Sequence, residues 1–286
     1  MKILTLGASG MLGHIVVAYF TERGHEVVAT SIKPGSPNYY DAYKNVYSVE
    51  PIIKKHQPDV VINCIGILNQ AAEDNHALAS LLNSFLPNFL DQLSASHNFQ
   101  LVHVTTDCVF SGNRGDYTKN DFPDADTYYG LSKALGEVNN NRTLTLRTSI
   151  VGPDQNPNGI GLFKWFTEQS GTIKGYSKVI WTGVTTLQLA KCIETALKKH
   201  LTGLHHAVNG DKITKHDLLV LFSKYFNPGI KIIPSSDYAS DKSLVKSADD
   251  FDFHIPSYAQ MISDMHDWIM AHPSMYPELV KKEIKQ

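Results

Sequence analysis

The sequence lacks the features that mark membrane-spanning, secreted and disulfide-bonded proteins. Its longest apolar runs, such as Val60–Ile67, are far too short to span a bilayer. A strand-like segment begins at Lys2, which leaves no room for a secretory signal. The three cysteines, Cys64, Cys108 and Cys192, are odd in number and widely spaced, which favours reduced thiols over a disulfide framework or a zinc site. We therefore expect a soluble, cytoplasmic protein with no membrane contact.

A strong charge of either sign is also missing. The formal net charge is −2, so the chain has no general attraction for nucleic acid. Its 13 histidines are scattered, and the adjacent pair His205 and His206 would lie on opposite faces of a strand. We expect no bound metal and no nucleic-acid partner. With 286 residues, 42% of them hydrophobic, the chain can bury a large core, as one big domain or as a main domain with a smaller one.

Short β-rich runs alternate with helical patterns along residues 1–150. Apolar runs predict strands at Lys2–Leu6, Glu26–Thr30, Asp59–Ile67, Gln100–Thr106 and Thr143–Ser149. Helical patterns separate them at Gly10–Arg23, Pro51–Gln57, Ala77–Ser96 and Tyr128–Asn140, and Ser31–Asn45 is predicted as a loop. This alternation predicts an α/β fold built on a doubly wound parallel sheet, a Rossmann domain, which binds ligands at the carboxyl ends of its strands.

The pattern becomes less regular after Val151. It predicts helices at Gly161–Glu168, Thr185–Lys199, Lys215–Phe226 and Pro277–Gln286, a strand at Leu204–Val208 and a loop around Gly175. Thr214 and Asp217 have the spacing of a helix N-terminal capping pair. We assign residues 151–286 to a smaller C-terminal, substrate-binding lobe, with some segments returning to the Rossmann domain.

A glycine-rich segment, Gly7-Ala8-Ser9-Gly10-Met11-Leu12-Gly13, lies between the first strand and the first helix. Glycines there allow a tight turn and a close backbone approach to a pyrophosphate at the helix N-terminus. We predict cofactor contacts from Gly7, Ser9, Gly10, Met11, Leu12 and Gly13. The second strand is followed by Ser31 and Lys33 instead of the acidic residue usual for NAD, so we predict NADPH as the cofactor, with NADH as the alternative.

Tyr129 and Lys133 are four residues apart in a predicted helix and therefore share one face. The sequence predicts that the Lys133 ammonium lowers the pKa of the Tyr129 phenol and makes it an acid/base group. The same spacing occurs by chance in many helices. Thr106 adds a third group. It ends a strand whose carboxyl end faces the ligand-binding crevice of such a sheet, where we also expect Tyr129, and its hydroxyl can polarise a carbonyl there.

Together these motifs resemble the extended short-chain dehydrogenases/reductases, and within them the dTDP-4-dehydrorhamnose reductase branch. The resemblance rests on the glycine turn and on Asn63-Cys64-Ile65-Gly66, Thr105-Thr106-Asp107-Cys108-Val109-Phe110, Tyr129-Gly130-Leu131-Ser132-Lys133 and Leu146-Arg147-Thr148-Ser149. It implies reduction of the C4 keto group of a nucleotide-linked deoxysugar for cell-surface polysaccharide synthesis.

The resemblance also implies roles for single residues. Thr106 and Tyr129 would bind the keto oxygen, Tyr129 would deliver the proton, and Lys133 would hold the nicotinamide ribose. Cofactor contacts are expected from Cys64, Ile65 and Gly66, and substrate contacts from Thr106, Asp107 and Cys108. Members of the family often form homodimers, although no exposed apolar stripe in the sequence demonstrates one.

Two segments depart from the family pattern. Cys108 replaces an aromatic residue, and Cys64–Gln70 replaces an alanine-rich run. The resemblance therefore leaves the sugar and the nucleotide open, and a UDP-linked 4-keto-6-deoxyhexosamine is one alternative substrate. Trp181 is a candidate for stacking on the substrate, with core packing as the alternative. Arg147 ends a strand at the crevice, as a structural partner or a ligand contact.

Two other functions are compatible with this fold. An epimerase or dehydratase is disfavoured because Asp107-Cys108 follows Thr106 where dehydratases usually have an Asp-Glu pair. A non-catalytic NADP-binding regulator is disfavoured because Tyr129 and Lys133 are both present.

Overall fold

The computed structural model describes residues 1–246 and 254–284. Its strands are β1 (Lys2–Leu6), β2 (Glu26–Ala29), β3 (Val60–Asn63), β4 (Gln100–Thr106), β5 (Leu144–Val151), β6 (Thr172–Trp181), β7 (Gly183–Thr185), β8 (Gly203–His206), β9 (Ile213–Thr214) and β10 (Lys231–Asp241). Its α-helices are α1 (Gly13–Glu22), α2 (Val49–His56), α3 (Asn69–Asp74), α4 (His76–Ala79), α5 (Leu86–His97), α6 (Tyr128–Leu135), α7 (Leu162–Thr167), α8 (Thr186–Lys198), α9 (Lys215–Phe226), α10 (Tyr258–Ala271) and α11 (Pro277–Ile284).

The main sheet is parallel throughout and runs in the order β2-β1-β3-β4-β5. β8 pairs with the first half of β5, and β7 pairs with its end. Because β2 and β3 lie on opposite sides of β1, the strand order reverses between β1 and β3. In such sheets, ligands bind at the carboxyl ends of the strands beside this reversal.

Helices cover both faces of the main sheet. Ile3 belongs to a core cluster with residues of α1, α8, α9 and α10, whereas its neighbour Leu4 belongs to a cluster with residues of α2 and α5. Successive strand residues thus point to opposite faces, each covered by helices. The predicted doubly wound parallel sheet is confirmed.

A small second sheet in the order β10-β6-β9 corrects the predicted loop around Gly175. That residue lies inside β6, where a Cβ would come within 2.8 Å of the Cα of His216 on α9. Glycine is present there because α9 packs closely on the strand, and not because the chain turns.

Several predicted elements have different bounds. The strand predicted to extend to Ile67 ends at Asn63, whose side chain accepts a hydrogen bond from the Ile65 N–H at 3.1 Å and so turns the chain. The single helix predicted at Ala77–Ser96 is divided into α4, a π-helical turn at Ser80–Phe85, and α5. The α3 helix was not predicted. Thr214 caps α9 as predicted, accepting from the Asp217 N–H at 3.0 Å.

Within the described parts of the chain, no helix is both long enough and apolar enough to cross a membrane.

Candidate active site

The glycine-rich turn joins β1 to α1 in a conformation that side chains would obstruct. Gly7 has a positive φ of 74°, and its carbonyl oxygen accepts a hydrogen bond from the Gly10 N–H at 3.0 Å. A Cβ on Gly13 would lie 2.1 Å from that same oxygen. The turn therefore requires glycine at Gly7 and Gly13, and the backbone of this turn is left open to a ligand at the start of α1.

A cleft of about 130 Å³ lies beside this turn, where the strand order reverses. Four of the predicted cofactor residues line it, namely Gly7, Ser9, Ser31 and Ile65. The remaining lining residues, which the sequence did not predict, are Thr30, Ile32, Tyr40, Asp41, Ala42, Tyr43 and Leu82. The glycine turn and this cleft fit the adenosine and pyrophosphate part of a nicotinamide dinucleotide.

Residues 40–43, which form one wall of the cleft, belong to a loop that is held against Ser31. Tyr39 bridges to Ser31, and the Tyr40 N–H donates to the Ser31 carbonyl oxygen at 2.9 Å. Asp41 is fixed by the backbone N–H of Tyr43 at 3.2 Å. Because this loop has no regular pattern, its approach to the turn was not visible in the sequence.

The other residues predicted to contact the cofactor from the glycine turn, the second strand and the third strand do not line the cleft. Lys33 is exposed, and its backbone N–H donates to the Ser31 hydroxyl at 3.1 Å. Leu12 is buried in the core, which restricts any contact with the cofactor to its backbone. Gly10 and Met11 belong to the turn, and Cys64 and Gly66 flank Ile65. Their cofactor contacts stay predictions.

The helix α6 carries the two predicted catalytic residues, and it is fixed at its start by Glu73 of α3. The two carboxylate oxygens of Glu73 accept hydrogen bonds from the N–H groups of Tyr128 at 3.1 Å and Tyr129 at 2.9 Å. The Thr127 side chain accepts from the Gly130 N–H at 3.2 Å. Sequence reasoning missed Glu73, because nothing in the sequence indicates that α3 packs on α6.

Asn83, in the π-helical turn, forms hydrogen bonds that connect α6 to a neighbouring segment. Its side-chain amide donates to the Ser132 hydroxyl at 3.1 Å and exchanges two hydrogen bonds of 3.0 Å with the backbone of Ile67. A π-helical turn often marks a functional site. Asn83 thereby ties α6 to the segment that follows β3, along the crevice.

Tyr129 and Thr106 come together at the carboxyl end of β4, as predicted. Tyr129 is 8% exposed. Burial raises the pKa of its phenol above the usual value, the charge of a Cys108 thiolate would raise it further, and the Thr106 hydroxyl, which faces the phenol, opposes the rise. The Thr106 hydroxyl donates to Asp107 Oδ1 at 3.1 Å and accepts from the Cys108 N–H at 3.1 Å.

The predicted effect of Lys133 on Tyr129 is wrong. Lys133 is 5% exposed, and its Nζ donates to the Val104 carbonyl oxygen at 2.9 Å. It does not lower the pKa of Tyr129, for which burial of the phenol dominates. Burial lowers the pKa of Lys133 itself to about 8, and Glu137, which follows the end of α6, opposes that shift.

Tyr128, the neighbouring tyrosine, has a packing role. Its ring stacks on His76 at a centroid distance of 3.8 Å, and its hydroxyl forms a 2.6 Å hydrogen bond with the Ser80 hydroxyl. Tyr128 therefore packs against α4 and the π-helical turn, whereas Tyr129 lies beside Thr106.

Two other predicted candidates lie in the core. Trp181 is 3% exposed, and its indole N–H donates to Ser149 Oγ at 2.8 Å. Its burial favours core packing over the predicted stacking on a substrate. Arg147 is 1% exposed and pairs with Glu137, which assigns it a structural role.

Within the described ranges, no three His, Cys, Asp or Glu side chains lie close enough together to hold a metal ion. All three cysteines are free thiols.

Comparison with known proteins assigns the family. Residues 1–241 match the model of the RmlD substrate binding domain. A probable low-salt glycan biosynthesis reductase from Haloferax volcanii is 27% identical over 242 residues, covering 76% of this chain and 77% of that protein. Methionine adenosyltransferase 2 subunit beta from Xenopus tropicalis is 24% identical over 253 residues, covering 82% of this chain and 75% of that protein.

Among solved structures, dTDP-4-dehydrorhamnose reductase from Bacillus anthracis str. Ames in complex with NADP has a TM-score of 0.80. It is 20% identical and covers 93% of this chain and 99% of that one. The comparison confirms the Rossmann-like fold. The family match and the curated relatives confirm the predicted placement among nicotinamide-dependent enzymes. The chain belongs to the RmlD substrate binding domain family of extended short-chain dehydrogenases/reductases.

Proposed function

We propose that this protein uses NADPH to reduce the 4-keto group of a nucleotide-linked deoxysugar. The observation that carries the proposal is the facing pair of Tyr129 and Thr106 at the carboxyl end of β4, both nearly buried, with Lys133 fixed one turn along α6. A buried acid beside a hydroxyl donor suits a carbonyl oxygen that takes up negative charge and then a proton.

When bound, the nicotinamide supplies a hydride to the keto carbon. Tyr129 carries its proton at neutral pH, because burial raises the pKa of the phenol, and it donates that proton to the developing alkoxide. The Thr106 O–H, which donates to Asp107 in the structure, turns to the keto oxygen and fixes it beside the phenol. The sugar is thereby held by the two groups that take part in proton delivery.

Lys133 would hold the ribose of the cofactor. Its ammonium has three N–H groups, and one of them donates to the Val104 carbonyl oxygen. Among the described residues it has no other hydrogen-bond partner, which leaves donors for the ribose hydroxyls. Its position is set by α6, and therefore by Glu73 and Asn83.

The choice of NADPH over NADH rests on the residues beside the cleft. Ser31 lines it, Lys33 is close by in the chain, and no acidic residue is present at positions 30–33 to bind a ribose 2′-hydroxyl. The acid that does line the cleft, Asp41, accepts hydrogen bonds from the backbone N–H groups of Tyr43 and Lys44. A hydroxyl and an ammonium favour a 2′-phosphate.

The test is purified protein with NADPH or NADH and a panel of enzymatically generated 4-keto nucleotide sugars, dTDP- and UDP-linked, followed at 340 nm. We expect at least one sugar to be reduced. Tyr129→Phe should lower turnover by about 10²- to 10⁴-fold with NADPH binding retained. Tyr128→Phe is the matched control, and it should remain close to the wild type.

The second candidate, a non-catalytic subunit that binds NADP, is favoured only by the similarity to methionine adenosyltransferase 2 subunit beta. Binding of NADPH without oxidation by any sugar of the panel would refute the reductase and support this candidate. If Tyr129→Phe reduced a sugar as fast as the wild type does, the Tyr129 phenol would not be the proton donor.

A further inference from the structure

The C-terminal segment contacts α1 at both of its ends. Tyr276 lies outside residues 1–241, which match the family, yet its hydroxyl is 2.9 Å from Nε2 of His14, in the first turn of α1. Both side chains are buried, at 4% and 5% exposure, and their rings pack edge to face with a centroid distance of 5.7 Å. His272 pairs with Glu22, the last residue of α1. The segment is thus attached to the helix that begins at the glycine turn.

His14 connects this segment to the backbone of the glycine turn. Its Nδ1 lies 2.9 Å from the carbonyl oxygen of Gly10, which also accepts from the His14 backbone N–H at 3.1 Å. A carbonyl oxygen only accepts, so the ring carries its hydrogen on Nδ1 and donates it to Gly10. Burial lowers the pKa of His14, while the hydrogen bond to Gly10 and the charge of Asp154 oppose that fall. In the neutral ring, Nε2 has a lone pair and accepts from the Tyr276 O–H.

The Gly10 carbonyl determines how the turn presents its N–H groups. Because it accepts the first helical hydrogen bond of α1, the N–H groups of Met11, Leu12 and Gly13 have no carbonyl partner within the helix. The peptide between Gly10 and Met11 is planar, so its carbonyl and its N–H point in opposite directions. A carbonyl held toward His14 therefore directs the Met11 N–H out of the helix N-terminus, where an anion binds.

We propose that Tyr276 and His14 are positioning residues of the cofactor site. Tyr276 orients the His14 ring, the ring fixes the Gly10 carbonyl, and the turn then presents its N–H groups to the pyrophosphate of the dinucleotide. The inference rests on the proposed function only in that it needs a nicotinamide dinucleotide at the glycine turn, and it is independent of the sugar. The C-terminal segment thereby takes part in cofactor binding through α1.

The experiment measures NADPH binding to the full-length protein by fluorescence titration, and stability by thermal unfolding. Tyr276→Phe removes the donor to His14 and keeps the ring, so it should weaken NADPH binding by about three- to tenfold, as the loss of one hydrogen bond does. His14→Leu removes both hydrogen bonds of the imidazole and should weaken binding at least as much. The variant with both changes should bind no more weakly than His14→Leu, because both residues act through the same carbonyl.

Tyr258→Phe is the matched control. Tyr258 is another buried tyrosine of the C-terminal region, 7% exposed, and its hydroxyl donates to the Asp211 carbonyl oxygen at 2.6 Å. Removing that hydroxyl should lower the unfolding temperature about as much as Tyr276→Phe does and leave the NADPH affinity unchanged. His14→Asn is the conservative variant. It keeps an amide N–H near the position of Nδ1, so it should retain more NADPH affinity than His14→Leu.

The proposal is overturned if Tyr276→Phe binds NADPH as tightly as the wild type, if Tyr258→Phe weakens binding equally, or if the double variant shows the product of the two single effects. If the wild type binds NADH instead of NADPH, the same variants are compared with NADH, since both dinucleotides carry the pyrophosphate. A wild type that binds neither dinucleotide overturns the proposal as well. Weakened NADPH binding in Tyr276→Phe, together with no reduction of any 4-keto sugar, would refute the reductase function and leave the positioning role standing.

Discussion

The ion pair between Arg147 on β5 and Glu137 gives the sharpest prediction about stability. The Arg147 guanidinium is 1% exposed, and its Nε donates to Glu137 Oε1 at 2.8 Å, with a second short contact from Nη2 to Oε2. Its Nη1 lies 3.1 Å from His206 Nε2, and the guanidinium carbon stands 4.9 Å above the centre of the Phe110 ring. We expect Arg147→Leu to destabilise the protein strongly.

The magnitude follows from what the substitution leaves behind. The Glu137 side chain is 7% exposed, so without Arg147 it becomes a buried carboxylate that has lost its hydrogen-bonded ion-pair partner. Removing one member of a buried pair costs about 3–5 kcal/mol of the free energy of unfolding. Replacing both by leucine removes the unpaired charge as well. Arg147→Leu/Glu137→Leu should therefore lose clearly less than the sum of the two single variants.

Urea unfolding, followed by circular dichroism and analysed by linear extrapolation, measures these differences. Arg142→Leu is the matched control. It removes an arginine whose side chain is 48% exposed and pairs with Asp91 at 3.2 Å, and Asp91 keeps its hydrogen bonds from Asn140 and Thr143, so the change should cost no more than about 1 kcal/mol. A free energy of unfolding for Arg147→Leu within about 1 kcal/mol of the wild-type value would contradict this expectation. So would a double variant whose loss of stability equals the sum of the losses in the two single variants.

Three further predictions concern the cofactor site and the dependence on pH. Because burial lowers the pKa of Lys133 to about 8, its ammonium is lost above that pH, and the KM for NADPH should rise there. A KM that stays flat up to pH 10 would contradict this. Burial raises the pKa of Glu194, but hydrogen bonds from groups including Lys198 outweigh it and hold the pKa at about 2, below its usual 4.5. This carboxylate therefore stabilises the fold above about pH 4.5 and loses that effect as the pH falls toward 2, so Glu194→Gln should flatten the acid limb of the stability curve measured by thermal unfolding. Replacing Ser31 and Lys33 by alanine should raise the KM for NADPH and leave that for NADH unchanged, and equal effects on both cofactors would exclude a 2′-phosphate contact.

The fold could be predicted from the sequence where one pattern decides the structure. The bounds predicted for β1, β4 and α9 match the observed ones, because each is a clear apolar or amphipathic run with a clear end. The loop predicted around Gly175 was wrong. A glycine that allows α9 to pack closely on β6 looks the same in the sequence as a glycine that turns the chain. The π-helical turn at Ser80–Phe85 likewise has no local signal.

The candidate site was predictable to the extent that it is local in sequence. The glycine turn, Thr106 and Tyr129 were found because each is placed by its own element. Glu73 and Asn83 were not found, because their effect on α6 depends on packing between elements that are distant along the chain.

The ionisation of the site could not be predicted from spacing, because spacing does not reveal burial. The sequence places Lys133 one turn from Tyr129 and predicts a lowered pKa for the phenol, whereas the structure buries both groups and directs Lys133 to the Val104 carbonyl oxygen. A phenol that keeps its proton is an acid, and a carbonyl that receives a hydride needs an acid. A Tyr129 phenol that burial keeps protonated can serve as that acid in the proposed reduction.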